Sequence, residues 1–382
     1  MAVRARDLGV VIGEGRPGAW NAITDVPGVR VGHATLIRGD GPLQVGTGPV
    51  RTGVTVVVPH DGDIWTEPLF AGSHTLNGNG ELTGLEWIRE SGLMTGAIGI
   101  TNTHSVGTVR DALVAAATRA GLRGTSSWAL PVVGETWDGR LNDSDGQHVR
   151  PEHVDTALAS ATGGAVAEGA VGGGTGMICH EFKGGIGTSS RVLPKAFGGW
   201  TVGVLVQANY GRRGLLRIDG VPVGEAIPTS EVPSAQGTPR PGIADAPPGA
   251  GSIIGIVATD APLLGDQCRR LAQRAALGLA RVGGLGFPSS GDLFLAFATG
   301  NRGLPPGEDD RPAFAPVSVR MVSGATLGPL FEATVEATEE AIVNALVAAE
   351  TMTGRDGNTA HRLPHDRLVE VMRASGRLRG LA

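Results

Sequence analysis

Gly251-Ser252 is the dipeptide at which this chain could begin its chemistry. A serine hydroxyl beside a backbone carbonyl can attack it, turning the amide into an ester that water cleaves readily. Glycine on the carbonyl side leaves that carbon uncrowded and reaches φ/ψ values that other residues avoid; such strained backbone holds about 1–3 kcal/mol. Cleavage would give Ser252 a free α-amine. An unperturbed α-amine titrates at about 7.7–8.0. It is therefore partly neutral near pH 7 and can serve as general base for its own hydroxyl. By itself, a Gly-Ser pair is equally an ordinary loop dipeptide. Its setting is unusual, however. Residues 226–251 carry six prolines (Pro228, Pro233, Pro239, Pro241, Pro247 and Pro248) and almost no large apolar residue. They read as an exposed, irregular connection. That connection runs without a gap into Ser252-Ile-Ile-Gly-Ile-Val-Ala, a core-grade strand.

Other motifs carry less. Gly13-Glu-Gly-Arg-Pro-Gly18 matches G-x-G-x-x-G, but Pro17 and the residues after it open no helix, which the dinucleotide reading requires. Leu141 to Glu152 places Asp143, Asp145, Gly146 and Glu152 at calcium-loop offsets. Leu141 stands where the first carboxylate belongs, and Pro151-Glu152 fits better as the start of a helix. His361 and His365 have the spacing of two ligands on a helix, with Pro364 between them to break it. No H-E-x-x-H or cysteine pair occurs, so no metal and no cofactor is expected. Asn77-Gly-Asn-Gly80 and Thr101-Asn-Thr-His104 read as turn and helix-cap devices, and Gly172–Gly174 as a place for close backbone approach.

Five blocks in order carry a resemblance: Pro131-Val-Val-Gly-Glu-Thr-Trp-Asp-Gly-Arg-Leu-Asn-Asp143, Val171-Gly-Gly-Gly-Thr-Gly-Met177, Val206-Gln-Ala-Asn-Tyr-Gly211, Gly251-Ser-Ile-Ile-Gly-Ile-Val-Ala-Thr-Asp260 and Ser290-Gly-Asp-Leu-Phe-Leu-Ala-Phe297. Through most of its length the chain resembles the DmpA-like family, the L-aminopeptidase/D-amidase and β-peptidyl aminopeptidase group of N-terminal-nucleophile hydrolases. The resemblance implies a four-layer αββα sandwich, a fold shared with ornithine acetyltransferases. It implies one domain cut by the protein itself into residues 1–251 (the α chain) and 252–382 (the β chain). It further implies assembly of αβ heterodimers into a homo-oligomer, and release of N-terminal residues from small amides, short peptides or esters.

The same resemblance assigns roles residue by residue. Ser252 would be the nucleophile. The Asn209 amide would donate to the oxyanion on the substrate carbonyl. Ser290 would bond the Ser252 α-amine, with Asp292 orienting that network. Some relatives carry glutamate at the acidic position. Glu135 would hold the cationic amine of the substrate through a charge-assisted hydrogen bond. Trp137 stands beside it in the substrate site where some relatives have tyrosine; an indole offers one N–H and no acidic hydroxyl. Two alternatives remain open. One is an acyltransferase of the ornithine acetyltransferase type, which uses threonine and is disfavoured by Ser252. The other is an uncleaved, non-catalytic binding protein, disfavoured by the presence of the whole set.

Positioning these groups requires a layered core. Apolar runs at 54–58, 97–100, 202–206, 253–258 and 293–298 read as strands buried on both faces. Residues 105–121, 262–282 and 330–352 carry apolar stripes at helical spacing and are rich in alanine, which lets a helix lie close on a sheet. Glycine is 62 of 382 residues, about 16% against about 7% in average chains, yet shows no Gly-X-Y period. With 41% hydrophobic and only 18% charged residues, this composition is globular rather than disordered. A net charge of −5 without a basic run argues against nucleic acid. The two cysteines make no disulfide framework and fit a reducing compartment. The first 18 residues lack the apolar region of a signal peptide, and no apolar run reaches membrane-spanning length, so a cytoplasmic location is expected.

Overall fold

The computed structural model describes residues 2–121, 128–235, 251–304 and 316–379. Its centre is two sheets laid face to face. The smaller sheet joins β1 (Arg30–Arg38), β2 (Val50–Val58), β5 (Ile98–Asn102) and β6 (Val133–Thr136) in that order. The larger uses β3 (Leu69–Gly78), β4 (Leu93–Met94), β9 (Gly185–Val192), β10 (Thr201–Asn209), β11 (Gly251–Thr259) and β12 (Ser290–Ala298). Their order is β4-β3-β12-β11-β10-β9. Two small ribbons, β7 (Ile178–Cys179) with β8 (Phe182–Lys183) and β13 (Met352–Thr353) with β14 (Thr359–Ala360), complete the strands.

Helices cover both outer faces. Helices α2 (Val106–Arg119) and α3 (Pro151–Ala159) pack on the smaller sheet through Val109, Leu113, Val154 and Ala157. On the larger sheet lie α5 (Gly265–Arg281) and α6 (Gly328–Val347), through Leu271, Ala275, Ala341 and Ala345. Between the sheets, Val57, Ile98 and Ile100 meet Leu205, Ile254 and Leu295. The order helix, sheet, sheet, helix is the expected αββα sandwich. Shorter helices α1 (Leu85–Ser91), α4 (Val223–Ala226) and α7 (His365–Ala374) lie at its margins.

Glycines set the layer spacing. A Cβ on Gly187 of β9 would stand 1.9 Å from the Ala341 carbonyl oxygen of α6. Only a residue without a side chain lets α6 approach the strand this closely. Helix α6 is buried almost all round, including Glu336, Glu339, Glu340 and Asn344. All three of its buried carboxylates meet arginine: Arg191 Nε reaches Glu336 at 2.9 Å and its Nη2 reaches Glu340 at 2.8 Å, Arg6 bonds Glu340 at 2.7 Å, and Arg281 Nε reaches Glu339 at 2.9 Å. The Gly13–Gly18 segment wraps this cluster, and the N–H groups of Glu14 and Gly15 both donate to Glu336 at 2.9 Å. Its anion is thus a side chain of the protein.

The expected cut would divide the larger sheet in an interleaved way. Strands β11 and β12 belong to residues 252–382 apart from Gly251, and they occupy the middle. Strands β3 and β4 flank them on one side, β10 and β9 on the other, all from residues 1–251. The start of the 226–251 connection is mixed: Thr229, Ser230, Glu231 and Pro233 are exposed, while Ile227, Val232 and Ala235 are buried. The buried Arg213 explains the latter: it lies over the Phe182 ring and donates from Nη1 to the Ile227 and Val232 carbonyls at 3.1 and 3.0 Å. Residues 236–250 of that connection lie outside the described residues.

Candidate active site

The strand register brings the expected residues to one end of the larger sheet. Ser252 pairs with Asn209 across the antiparallel β11–β10 ladder. In the parallel β11–β12 ladder, Gly251 stands beside Ser290 and Ser252 beside Gly291. Directly opposed residues put their side chains on the same face, so Ser252 and Asn209 share one. Alternation along β11 places Ser252 with Ile254 and Ile256, toward the layer between the sheets. On β12, Ser290 and Asp292 alternate with the inward Leu293 and lie on the Phe294 side, toward the helices. The nucleophile and its expected amine partners therefore flank the backbone of β11 from opposite faces.

Gly251 is required by packing. Its φ is +147°, and a Cβ there would fall 2.0 Å from the Asn209 carbonyl oxygen. The Ser252 hydroxyl is 6% exposed at the residue level and accepts a hydrogen bond from the Gly291 N–H at 3.1 Å. Ser290 Oγ donates to Asp292 Oδ1 at 2.6 Å. Burial pushes the Asp292 carboxyl up to about 6, against the Ser290 hydroxyl and the Ile253 backbone, which favour its charge.

Asn209 is clamped at both ends of its amide. Its Nδ2 donates to the Trp137 carbonyl at 2.9 Å, and its Oδ1 accepts from the Ile178 N–H at 2.8 Å. A primary amide has two N–H donors, and Trp137 takes one of them. Trp137 thus contributes its backbone, while its indole is half exposed.

Glu135 comes from the other sheet. It is 3% exposed; Oε1 accepts from the Glu81 N–H at 3.0 Å and Oε2 from the Thr103 hydroxyl. Burial raises its pKa, with those two donors acting the other way. Gly80 is the spacer between this carboxylate and the nucleophile. A Cβ on Gly80 would stand 3.0 Å from Glu135 Oε1 and 3.2 Å from Gly291 Cα, and Gly291 is the residue that holds Ser252. Gly80 and Leu293 also line a cavity of about 480 Å³, walled by Leu82, Leu85, Trp87 and Leu130.

Several contributors to the site carry no sequence signature of their role. Asn77 and Asn79 do more than shape a turn: their side chains donate to the Phe287 and Ser289 carbonyls, the latter at 2.9 Å, and fix the loop that delivers Ser290. Thr103 orients Glu135, and Gly291 supplies a donor to Ser252. Polar residues with side chain-to-backbone partners give no spacing pattern, so only the Asn77-Gly-Asn-Gly80 run hinted at this clamp. The residues set aside are wired elsewhere. Asp143 accepts from the N–H groups of Gly46 and Gly146 and lies 2.8 Å from His148 Nε2. His365 is the first residue of α7 behind Pro364, so His361 lies outside that helix. No group of three or more His, Cys, Asp or Glu residues is arranged to hold a metal among the described residues.

Comparison with known proteins bears on the family and the fold. The model of Peptidase family S58 matches residues 21–360. Beta-peptidyl aminopeptidase BapA of Sphingosinicella microcystinivorans is 49% identical over 377 residues, spanning 98% of this chain and 93% of that protein. Among solved structures, a Burkholderia sp. beta-aminopeptidase superposes with a TM-score of 0.89 at 55% identity, covering 98% of this chain and 99% of its own. The L-aminopeptidase D-Ala-esterase/amidase of Ochrobactrum anthropi, described as a prototype of the serine aminopeptidases and a variant of the N-terminal-nucleophile hydrolase fold, superposes with a TM-score of 0.85 at 42% identity, covering 98% and 99%.

Proposed function

The chain belongs to peptidase family S58 and is a hydrolase of the N-terminal-nucleophile fold; from that premise we propose that it is a self-processing serine aminopeptidase/amidase with Ser252 as nucleophile. The observation that carries this reading is the convergence on Ser252 of Asn209 and Gly291 from the two neighbouring strands, with Glu135 facing them across Gly80.

In maturation, Ser252 Oγ attacks the Gly251 carbonyl carbon, the C–N bond breaks, and the acyl group passes to oxygen. Water then hydrolyses the ester and frees the Ser252 α-amine. In turnover, that amine takes the hydroxyl proton as Oγ attacks the substrate carbonyl. The remaining Asn209 N–H donates to the oxyanion, a contribution typically worth about 10²–10³ in rate. Collapse expels the leaving amine with the proton, and water releases the acyl group. Ser290 and Asp292 hold the α-amine, and Glu135 binds the substrate ammonium. That ammonium offsets the burial that raises the Glu135 pKa. Because the relatives at 49% and 55% identity bear β-aminopeptidase names, β-aminoacyl amides and short β-peptides stand first as substrates, with α-aminoacyl amides and esters second. Assembly of the processed heterodimers into an oligomer in the cytoplasm completes the proposal.

Denaturing electrophoresis with a Ser252→Ala variant tests it. The native 38.9 kDa chain should give bands at about 26 and about 13 kDa by residue count. Ser252→Ala should stay whole and release nothing from a panel of β- and α-aminoacyl amides. A native protein that hydrolyses the panel while remaining one band, or an active Ser252→Ala variant, would remove Ser252 from this role.

A further inference from the structure

Lys183 is fully buried in β8, beneath the loop that meets Asn209. Its Nζ donates to the carbonyls of Met177 at 2.8 Å, Gly184 at 2.8 Å and Gly174 at 3.3 Å. Among the described residues no carboxylate pairs with it; the ionisable neighbour is Cys179, whose buried thiol is pushed up to about 12 and stays neutral. A buried cation without a counter-charge is costly to keep. Burial draws the Lys183 pKa down to about 7. Three carbonyls nevertheless match the three N–H donors of an ammonium, whereas a neutral amine would set its lone pair against one of them.

One of those carbonyls leads directly to the active site. The Met177 carbonyl and the Ile178 N–H belong to a single planar peptide unit. Lys183 donates to the oxygen of that unit, and its N–H donates to Asn209 Oδ1 at 2.8 Å. A cation at the oxygen end polarises the unit and strengthens the N–H as a donor. The strengthened donor demands the oxygen of the Asn209 amide, while the Trp137 carbonyl demands the nitrogen. Flipping the amide would set oxygen against oxygen at Trp137 and N–H against N–H at Ile178. We propose that Lys183 is a positioning residue, which acts through the Met177–Ile178 peptide to fix the Asn209 amide with its nitrogen toward the oxyanion.

This inference rests on Asn209 as the oxyanion donor, so its test is a double-mutant cycle. Lys183→Met, Asn209→Ala and the double variant are assayed on one aminoacyl amide, with rates normalised to the processed fraction on a denaturing gel. Lys183→Met should lower kcat by about 10- to 100-fold with KM within about twofold. In the Asn209→Ala background the same substitution should change kcat by less than about threefold. If Asn209→Ala keeps its rate, the underlying reading of Asn209 fails, and this inference fails with it. If Asn209→Ala loses its rate but Lys183→Met leaves kcat unchanged, or lowers it equally in both backgrounds, only the inference is overturned. Should Lys183→Met fail to fold, Lys183→Gln, which retains two donors without charge, is judged by the same cycle.

Discussion

Asp292 is the residue whose chemistry is most exposed to pH. Burial lifts its carboxyl from 3.8 to about 6, so it gains a proton as the pH falls through about 6. The acceptor that holds Ser290 is then lost. Its charge would also favour protonation of the proposed Ser252 α-amine. Asp292→Asn should therefore lower kcat/KM and move the acidic limb of the pH profile to lower pH; an unmoved limb would separate Asp292 from the titrating network. Stability responds in the opposite sense. The folded state holds this proton more tightly than the unfolded chain, so the contribution of Asp292 to folding is full at low pH and is lost as the pH rises through about 6. Glu135→Gln keeps the shape but removes the anion. It should raise KM for amino-terminal substrates by about tenfold or more with a smaller change in kcat, measured by initial rates. The side chains proposed to meet the substrate were legible through five sequence blocks. Asn77, Asn79 and Lys183 were not, because each bonds backbone carbonyls that no residue type announces.

At the scale of elements, the apolar runs located the strands but not their working ends. The run at 253–258 lies within β11, which begins two residues earlier at Gly251; that at 293–298 lies within β12, which begins at Ser290. Functional groups sit on those extensions, where the hydrophobic pattern has ended. Strand β9 escaped the pattern altogether, since Thr188, Ser189, Ser190 and Arg191 are all buried. Their partners come from distant segments: Asn21 for both serines, Glu168 for the Thr188 N–H, and Glu336 and Glu340 for Arg191. The helix expected at 330–352 ends at Val347, and Met352 opens β13 instead. Where glycine sets the distance between elements, a small substitution should act strongly. Gly187→Val must displace α6 from β9 and should cost at least about 1–3 kcal/mol, read as a lower urea midpoint. An unchanged midpoint would mean that α6 has room to retreat.

Across the whole molecule, the layer order followed from the resemblance, while the fastening of the N-terminal segment did not. Arg6 reaches Glu340, Glu14 and Gly15 cap Glu336, and Arg191 lies between the two carboxylates. Burial pushes Glu340 up, but Arg6, Arg191 and Asn21 together hold it below its usual value of 4.5. Its contribution is therefore present above that pH and lost as the pH falls through the lowered pKa. Glu340→Ala, which leaves the buried Arg191 with Glu336 alone and takes the carboxylate from Arg6, should cost about 3–5 kcal/mol in equilibrium unfolding; a loss under 1 kcal/mol would show that the cluster does not need this carboxylate. The interleaved sheet has a thermodynamic consequence of its own. In the uncut chain, strands β11 and β12 return to the middle of the sheet as part of one molecule. After the proposed cleavage, the same transition would end in two separate molecules, so folding would change from first to second order. The midpoint of melting of the processed protein should then rise with protein concentration, whereas that of Ser252→Ala, compared at the same state of assembly, should not. A single peptide bond would thereby convert stability from a property of the chain into one that depends on how much of it is present.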